Sequence, residues 1–251
     1  MKKSAPLLLA VLVLSGRAVL TQIPQEPVHA PDGGTREFLT SIAVPPLPNA
    51  PFSATVNTEW TRYLDNGATM IVKNRRLIAR DGQGRVFQER RWFVSERGPV
   101  ESRLTRTEIS DPASRTIAYC DPSQRVCELR VYRAPAAVAP PHAGASLNGK
   151  NSLTSENLGT QIVNGLELIG TREIQTVSGA ALGIDRPLKI TKEFWYSRQL
   201  GLNVSTKRSD PRSGVEEFTV TDINESEPDP ALFALPPNAR IVDYRTQAAA
   251  R

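Results

Sequence analysis

From Phe52 onward, apolar and polar residues alternate. Phe52, Ala54, Val56, Thr58 and Trp60 share one parity, and Ser53, Thr55, Asn57, Glu59 and Thr61 share the other. Successive side chains leave a strand on opposite faces, so this period of two, rich in β-branched and aromatic residues, predicts a half-buried strand. Asp65-Asn66-Gly67 ends it with residues that tolerate positive φ. Thr69–Arg80 predicts a second strand with Met70, Val72 and Ile78 on one face. Asp81-Gly82-Gln83-Gly84 turns again, and Arg85–Ser95 predicts a third strand, closed by Gly98-Pro99. Long strands joined by tight turns predict an antiparallel meander.

The scheme continues. Ser102–Ser110, Arg115–Cys120 and Arg125–Tyr132 predict strands divided by Asp111-Pro112 and Asp121-Pro122. In such turns the Asp side chain bonds ahead to backbone N–H and Pro presets φ. Ser209-Asp210-Pro211 repeats the device. Further strands are expected at Gln161–Asn164, Leu166–Val177, Ile190–Ser197, Leu202–Ser209 and Val215–Ile223. No window beyond the first eighteen residues sustains a helical period. The expected fold class is mainly β, with about eleven antiparallel strands in a curved open sheet or half-barrel and little helix.

The ends depart from this pattern. Lys2 and Lys3 precede the apolar run Pro6–Leu14, and Ser15, Gly16 and Ala18 follow. A basic start, a short apolar run and small residues predict a signal peptide over residues 1–18. The run is too short for a bilayer-spanning helix, which needs about 20 residues. No later stretch is apolar enough to span, so the mature chain is expected to be exported, periplasmic or extracellular, without a membrane span. Losing Lys2, Lys3 and Arg17 takes the formal charge from +5 to about +2, which removes the case for nucleic-acid binding through bulk charge. Six prolines in residues 19–50 predict an extended arm, since each fixes φ and removes a donor. Ala134–Ser146 is low in complexity, so a flexible Ala/Pro loop is expected over residues 134–150. Residues 51–245 then form a single β domain, and 246–251 a disordered tail.

Candidate chemistry is sparse. Cys120 and Cys127 flank the Asp121-Pro122 turn. If that turn makes a hairpin, the two cysteines face each other across neighbouring strands, at a separation a disulfide accepts, and an exported chain meets an oxidising compartment. His29 and His142 have no Cys, Asp or Glu at ligand spacing, so no metal site is expected. Gly-x-Ser-x-Gly, P-loop and Gly-x-Gly-x-x-Gly motifs are absent, and no cofactor or catalytic residue is assigned. Two of the acidic residues, tested first at Glu193 and Glu217, leave a hydrolase as a third reading. Trp92-Phe93 and Phe194-Trp195-Tyr196 must send bulk to both faces of their strands. In an open curved sheet, one such face packs a core and the other lines a groove or is covered by a loop. The candidate groove residues are Trp60, Met70, Val72, Phe194, Tyr196 and Val204, with the opposite parity as the alternative.

Residues 52–243 carry a resemblance, strongest over the last ninety. Asn157-Leu158-Gly159-Thr160, Gly165, Gly170-Thr171-Arg172, Glu193-Phe194-Trp195-Tyr196, Thr206-Lys207-Arg208-Ser209-Asp210-Pro211-Arg212 and Glu227-Pro228-Asp229-Pro230-Ala231-Leu232-Phe233 before Pro236 resemble exported bacterial proteins of the lipoprotein-carrier (LolA-like) half-barrel superfamily. The resemblance implies a half-barrel whose concave apolar face holds an acyl chain. It also implies a role as a lipid or lipoprotein carrier, or as an envelope-stress sensor that regulates a sigma-factor pathway. The sequence departs from that pattern in offering no amphipathic helix to lid the concave face; the Pro-rich arm or the Ala134–Ser146 loop is left to cover it. The resulting expectation is a non-enzymatic binding protein for a lipid, acyl chain or other apolar ligand. The rival is an envelope protein-interaction or stress-sensing module with a protein partner.

Overall fold

The computed structural model describes residues 42–95, 102–133, 146–147 and 151–246. The expected signal peptide, arm residues 19–41, most of the 134–150 loop, both histidines and tail residues 247–251 lie outside the described residues. The strands are β1 (Phe52–Tyr63), β2 (Thr69–Arg80), β3 (Val86–Arg91), β4 (Val94–Ser95), β5 (Leu104–Asp111), β6 (Thr116–Asp121), β7 (Val126–Val131), β8 (Ser146–Leu147), β9 (Asn151–Val163), β10 (Leu166–Val177), β11 (Leu188–Ser197), β12 (Leu202–Asp210), β13 (Gly214–Asn224) and β14 (Arg240–Asp243). They form one open sheet in the order β14-β7-β6-β5-β3-β2-β1-β13-β12-β11-β10-β9-β8, with β4 on β2. Every pairing is antiparallel except β14 on β7. The only helical pieces among the described residues are Gly179–Leu182 and a 3-10 turn at Pro230–Phe233.

The expected β class and open antiparallel sheet hold. The strand count rises to fourteen through three short strands of two to four residues, β4, β8 and β14, and β9 is far longer than the Gln161–Asn164 segment expected there. The third strand breaks at Trp92-Phe93, which are exposed between β3 and β4.

The aspartate turns form as their chemistry dictates. The Asp111 carboxylate accepts from the N–H groups of Ala113 and Ser114, and Asp121 from those of Ser123 and Gln124. Each loop closes on a left-handed residue, Arg115 at φ 52° and Arg125 at φ 50°. The second turn pairs Cys120 directly with Cys127, with Cα atoms 4.0 Å apart, and the two form a disulfide.

The sheet buries opposite faces in its two halves. On one face Phe52, Ala54 and Val56 of β1 pack with Ile78, Phe218, Val220, Leu202 and Leu166. On the other, Ala79 and Phe87 pack with Ile109, Ala118 and the cystine, closed by Phe233 of the 3-10 turn. The adjacent residues Ile78 and Ala79 belong to different cores, so β2 is the strand at which burial crosses the sheet. Each fully buried side chain of this size contributes roughly 1.5–3 kcal/mol.

Arm residues 42–50 complete the first core. Ile42 and Val44 are buried in it. The fully buried Arg80 fixes the following segment, donating from Nε to the Ala50 carbonyl (2.8 Å), from Nη1 to Pro45 (2.9 Å) and from Nη2 to Leu200 (2.9 Å). Its guanidinium lies 4.9 Å from the Phe52 ring centroid. Gly201 leaves the space that Leu47 fills: an added Cβ would lie 2.3 Å from Leu47 Cδ1.

Candidate functional site

The Phe52 face does not end where its cover ends. Beyond Thr58 the β1–β2 register sets Trp60 opposite Val72 and Arg62 opposite Met70. All four are half-buried. Trp60 Nε1 donates to the Ser213 carbonyl at 2.8 Å, which turns the indole along the sheet. The Arg62 guanidinium lies 4.9 Å from the Trp60 ring centroid. Trp60, Val72 and Met70 thus form a half-buried apolar strip on the Phe52 face with a cation over the indole ring, and Asn74 and Arg76 separate it from Ile78 on β2.

Charges fix the flank of this strip. Glu216 pairs across from Trp60 on β13 and is buried. Arg208 bridges Glu216 (3.2 Å) and Asp210 (2.9 Å), and Arg212 also binds Asp210 (2.9 Å). Burial pushes the Asp210 carboxyl up, but hydrogen bonds from the Arg212 side chain and backbone, with the charges of Arg212 and Arg208, outweigh it and hold the group below the usual carboxylate range.

The other candidate groove residues do not join one wall. Val204 is 5% exposed and packs in the core itself. A bulge leaves it without a partner on β11, between the pairs Trp195↔Ser205 and Tyr196↔Asn203. On β11 it is Trp195 that packs on the core, whereas Tyr196 is 38% exposed. Phe194 is half-buried opposite Thr206 and Thr171. The structure thus brings Trp60, Val72 and Met70 together and places Phe194 and Tyr196 on the neighbouring parity of β11.

On β3–β7 the same sheet face is ionic. Gln88 pairs with Ile78 and Glu108, and Glu108 with Tyr119. The buried Glu108 binds Arg90 (2.8 Å) and Arg106 (2.5 Å). Burial pushes Glu108 up, yet these two arginines, through hydrogen bonds and charge, hold it below its ordinary value. Burial and the nearby Arg90 lower Arg76 to about 10, against the pull of Glu108 and Glu89. None of these arginines is among the candidate groove residues. The signal available was the alternation in Arg106-Thr107-Glu108 and Gln88-Glu89-Arg90, which places opposite charges on one face.

Glu193 and Glu217 flank Lys207 in one cross-strand row. Their strands are thus ~9–10 Å apart. Glu193 accepts from Arg172 Nε at 2.8 Å, and Glu217 pairs with Lys207 at 3.2 Å. Both act as surface ion-pair partners. Among the described residues no group of three His, Cys, Asp or Glu is placed to hold a metal ion, and no helix is long and apolar enough to cross a membrane.

No protein-family model matches this chain, and no curated protein matches it. Solved structures do. The chain is similar to MucB in the MucA/MucB complex of Pseudomonas aeruginosa, at 14% identity and a TM-score of 0.35, over 76% of this chain and 58% of that one. It is similar to lipoprotein LppX of Mycobacterium tuberculosis at 13% identity and a TM-score of 0.24, over 70% and 88% of the two chains. It is also similar to a Vibrio parahaemolyticus domain assigned to outer membrane lipoprotein sorting, at 12% identity and a TM-score of 0.19, over 73% and 89%. The chain spans about three fifths of the length of the MucB chains it matches. The strand order and register stand independently of these likenesses.

Proposed function

We propose that this chain is an exported, non-enzymatic binding protein that holds the apolar part of a lipid, acyl chain or similar amphiphile on the Phe52 face. The observation that carries the reading is the strip at Trp60, Val72 and Met70, which shares the Phe52 face and stays half-buried. A guest there removes apolar area from water at roughly 25 cal/mol per Å², less the ordering costs. Arg62 above Trp60 suits an anionic or polar head at the end of the chain. The basic-apolar-small start of the sequence supports export.

Full-length protein purified without detergent, measured by native mass spectrometry and then titrated with the fluorescent probe cis-parinaric acid, tests this. The expected result is a one-to-one adduct or saturable probe binding with quenching of tryptophan emission, lost in a Met70→Asp/Val72→Asp double variant that keeps its unfolding midpoint within ~1 M urea. Protein that carries nothing and binds no probe overturns the reading.

A second reading rests on a strand edge. Among the described residues, β9 beyond Ser152 pairs only with β10. An unpaired edge of this length accepts an added strand from a protein partner. Thr154→Lys together with Thr160→Lys is expected to abolish such pairing while leaving parinarate binding unchanged.

A further inference from the structure

The opposite face of the sheet carries a cavity of its own. A half-enclosed space of about 480 Å³ lies between the β6–β7 hairpin and residues 236–239, with Cys120, Cys127, Val126, Leu104, Pro236 and Pro237 among its lining. That volume falls in the range of small-molecule sites. Its walls are stiff. The cystine ties the hairpin, the two prolines fix φ, and the Arg240 N–H donates to the Arg125 carbonyl at 2.8 Å as β14 joins β7. A cavity held this way loses little on binding to the ordering of its own groups.

The lining has a charge asymmetry. Arg125 is exposed there and forms no ion pair among the described residues. The carboxylate in the lining, Asp121, is occupied within its own turn by the Ser123 and Gln124 N–H groups and the Ser123 hydroxyl. Arg103, likewise exposed, lies near enough for its charge to act on Asp121. Apolar walls beside an uncommitted guanidinium suit a ligand with an apolar chain and a terminal carboxylate, because the planar fork of Arg matches a carboxylate in two hydrogen bonds.

We propose that this cavity is a second binding site, for a single-chain carboxylate amphiphile such as a free fatty acid, with its chain against the cystine and prolines and its carboxylate on Arg125. The site lies on the Phe87 face of the sheet, where Thr107, Cys120 and Cys127 pair in register, whereas Trp60 stands on the Phe52 face. It does not depend on the strip described above.

Calorimetric titration of the full-length oxidised chain with sodium decanoate, and with decanol as the uncharged control, tests it. Ala239→Phe, which fills the cavity, is expected to weaken decanoate at least ~10-fold. Arg125→Glu is expected to weaken decanoate by ~5-fold or more and to leave decanol within ~2-fold. Met70→Asp/Val72→Asp is expected to leave decanoate affinity at this site unchanged. Should Ala239→Phe fail to fold, hydrogen exchange on the wild-type chain decides: decanoate must protect peptides covering residues 120–127 and 236–239. Decanoate that does not bind, that binds Ala239→Phe as tightly as wild type, or that protects only peptides around Trp60 and Val72 overturns this site. The last outcome leaves the Phe52-face reading standing. An equal loss of decanoate and decanol in Arg125→Glu overturns the carboxylate assignment.

Discussion

Arg80 is a cation sealed in an apolar core, and its three carbonyl partners come from two distant stretches of chain, the 42–50 segment and Leu200. Burial lowers its pKa from the ordinary value, and no carboxylate compensates among the hydrogen bonds it makes. Arg80→Met removes the donors and leaves three carbonyls short of partners at ~1–3 kcal/mol each. It is expected to cost at least ~3 kcal/mol in urea unfolding, with Arg80→Lys recovering part, since one ammonium reaches fewer of the carbonyls. Glu108 makes the opposite kind of test. Its pKa is depressed in the folded chain, so its contribution is complete above the unfolded value of ~4.3 and fades as pH falls through the lower folded value. Glu108→Gln is therefore expected to cost ~1–3 kcal/mol at pH 7, and the gap to wild type should narrow as pH falls below ~4.3. A gap independent of pH would show that the carboxylate charge is not what Arg90 and Arg106 hold.

Hairpins were the most legible elements, because turn chemistry is local. Asp111-Pro112 and Asp121-Pro122 fix their loops through hydrogen bonds two and three residues away, and the cystine followed from the second loop. Loss of that cystine in a Cys120→Ala/Cys127→Ala variant is expected to cost ~2.5 kcal/mol in thermal or urea unfolding, the loop-closure entropy of so short a ring. Only the end of strand β9 is legible in the sequence, because Thr154 to Thr160, apart from Leu158, is polar or glycine and exposed and carries no period-two signal. Strand β14 is four residues long and exists by pairing with β7 from far away in sequence. Glycines separate two kinds of local constraint. At Gly214, φ is +94° and an added Cβ would lie 1.9 Å from the Thr61 carbonyl oxygen, whereas Gly67, at φ +79°, meets nothing within 4 Å. Gly67→Ala is expected to cost ~1–2 kcal/mol from the left-handed backbone alone, and Gly214→Ala clearly more, read from urea midpoints.

At the scale of the whole sheet, alternation announces two faces but not which one is buried. The sequence run Leu77-Ile78-Ala79 held a hint, since consecutive buried apolar residues mean that both faces of β2 are covered. The crossing of burial at β2 sets an apolar face beside an ionic one on the same side of the sheet, and on the apolar side Trp60, Met70 and Val72 stay half-buried. Candidate groove positions on β1 and β2 could be grouped by parity because their register is regular. Those on β11 and β12 could not, because the bulge at Val204 moves Trp195 rather than Phe194 toward the core. The central claim is that the open end of the Phe52 face receives an acyl chain. Photo-crosslinking of the full-length protein with a diazirine-bearing palmitate, followed by peptide mapping, tests it most directly. Label on peptides containing Trp60, Met70 and Val72, competed by unlabelled palmitate, is the predicted result; label absent from those peptides, or confined to residues 120–127 and 236–239, would contradict it.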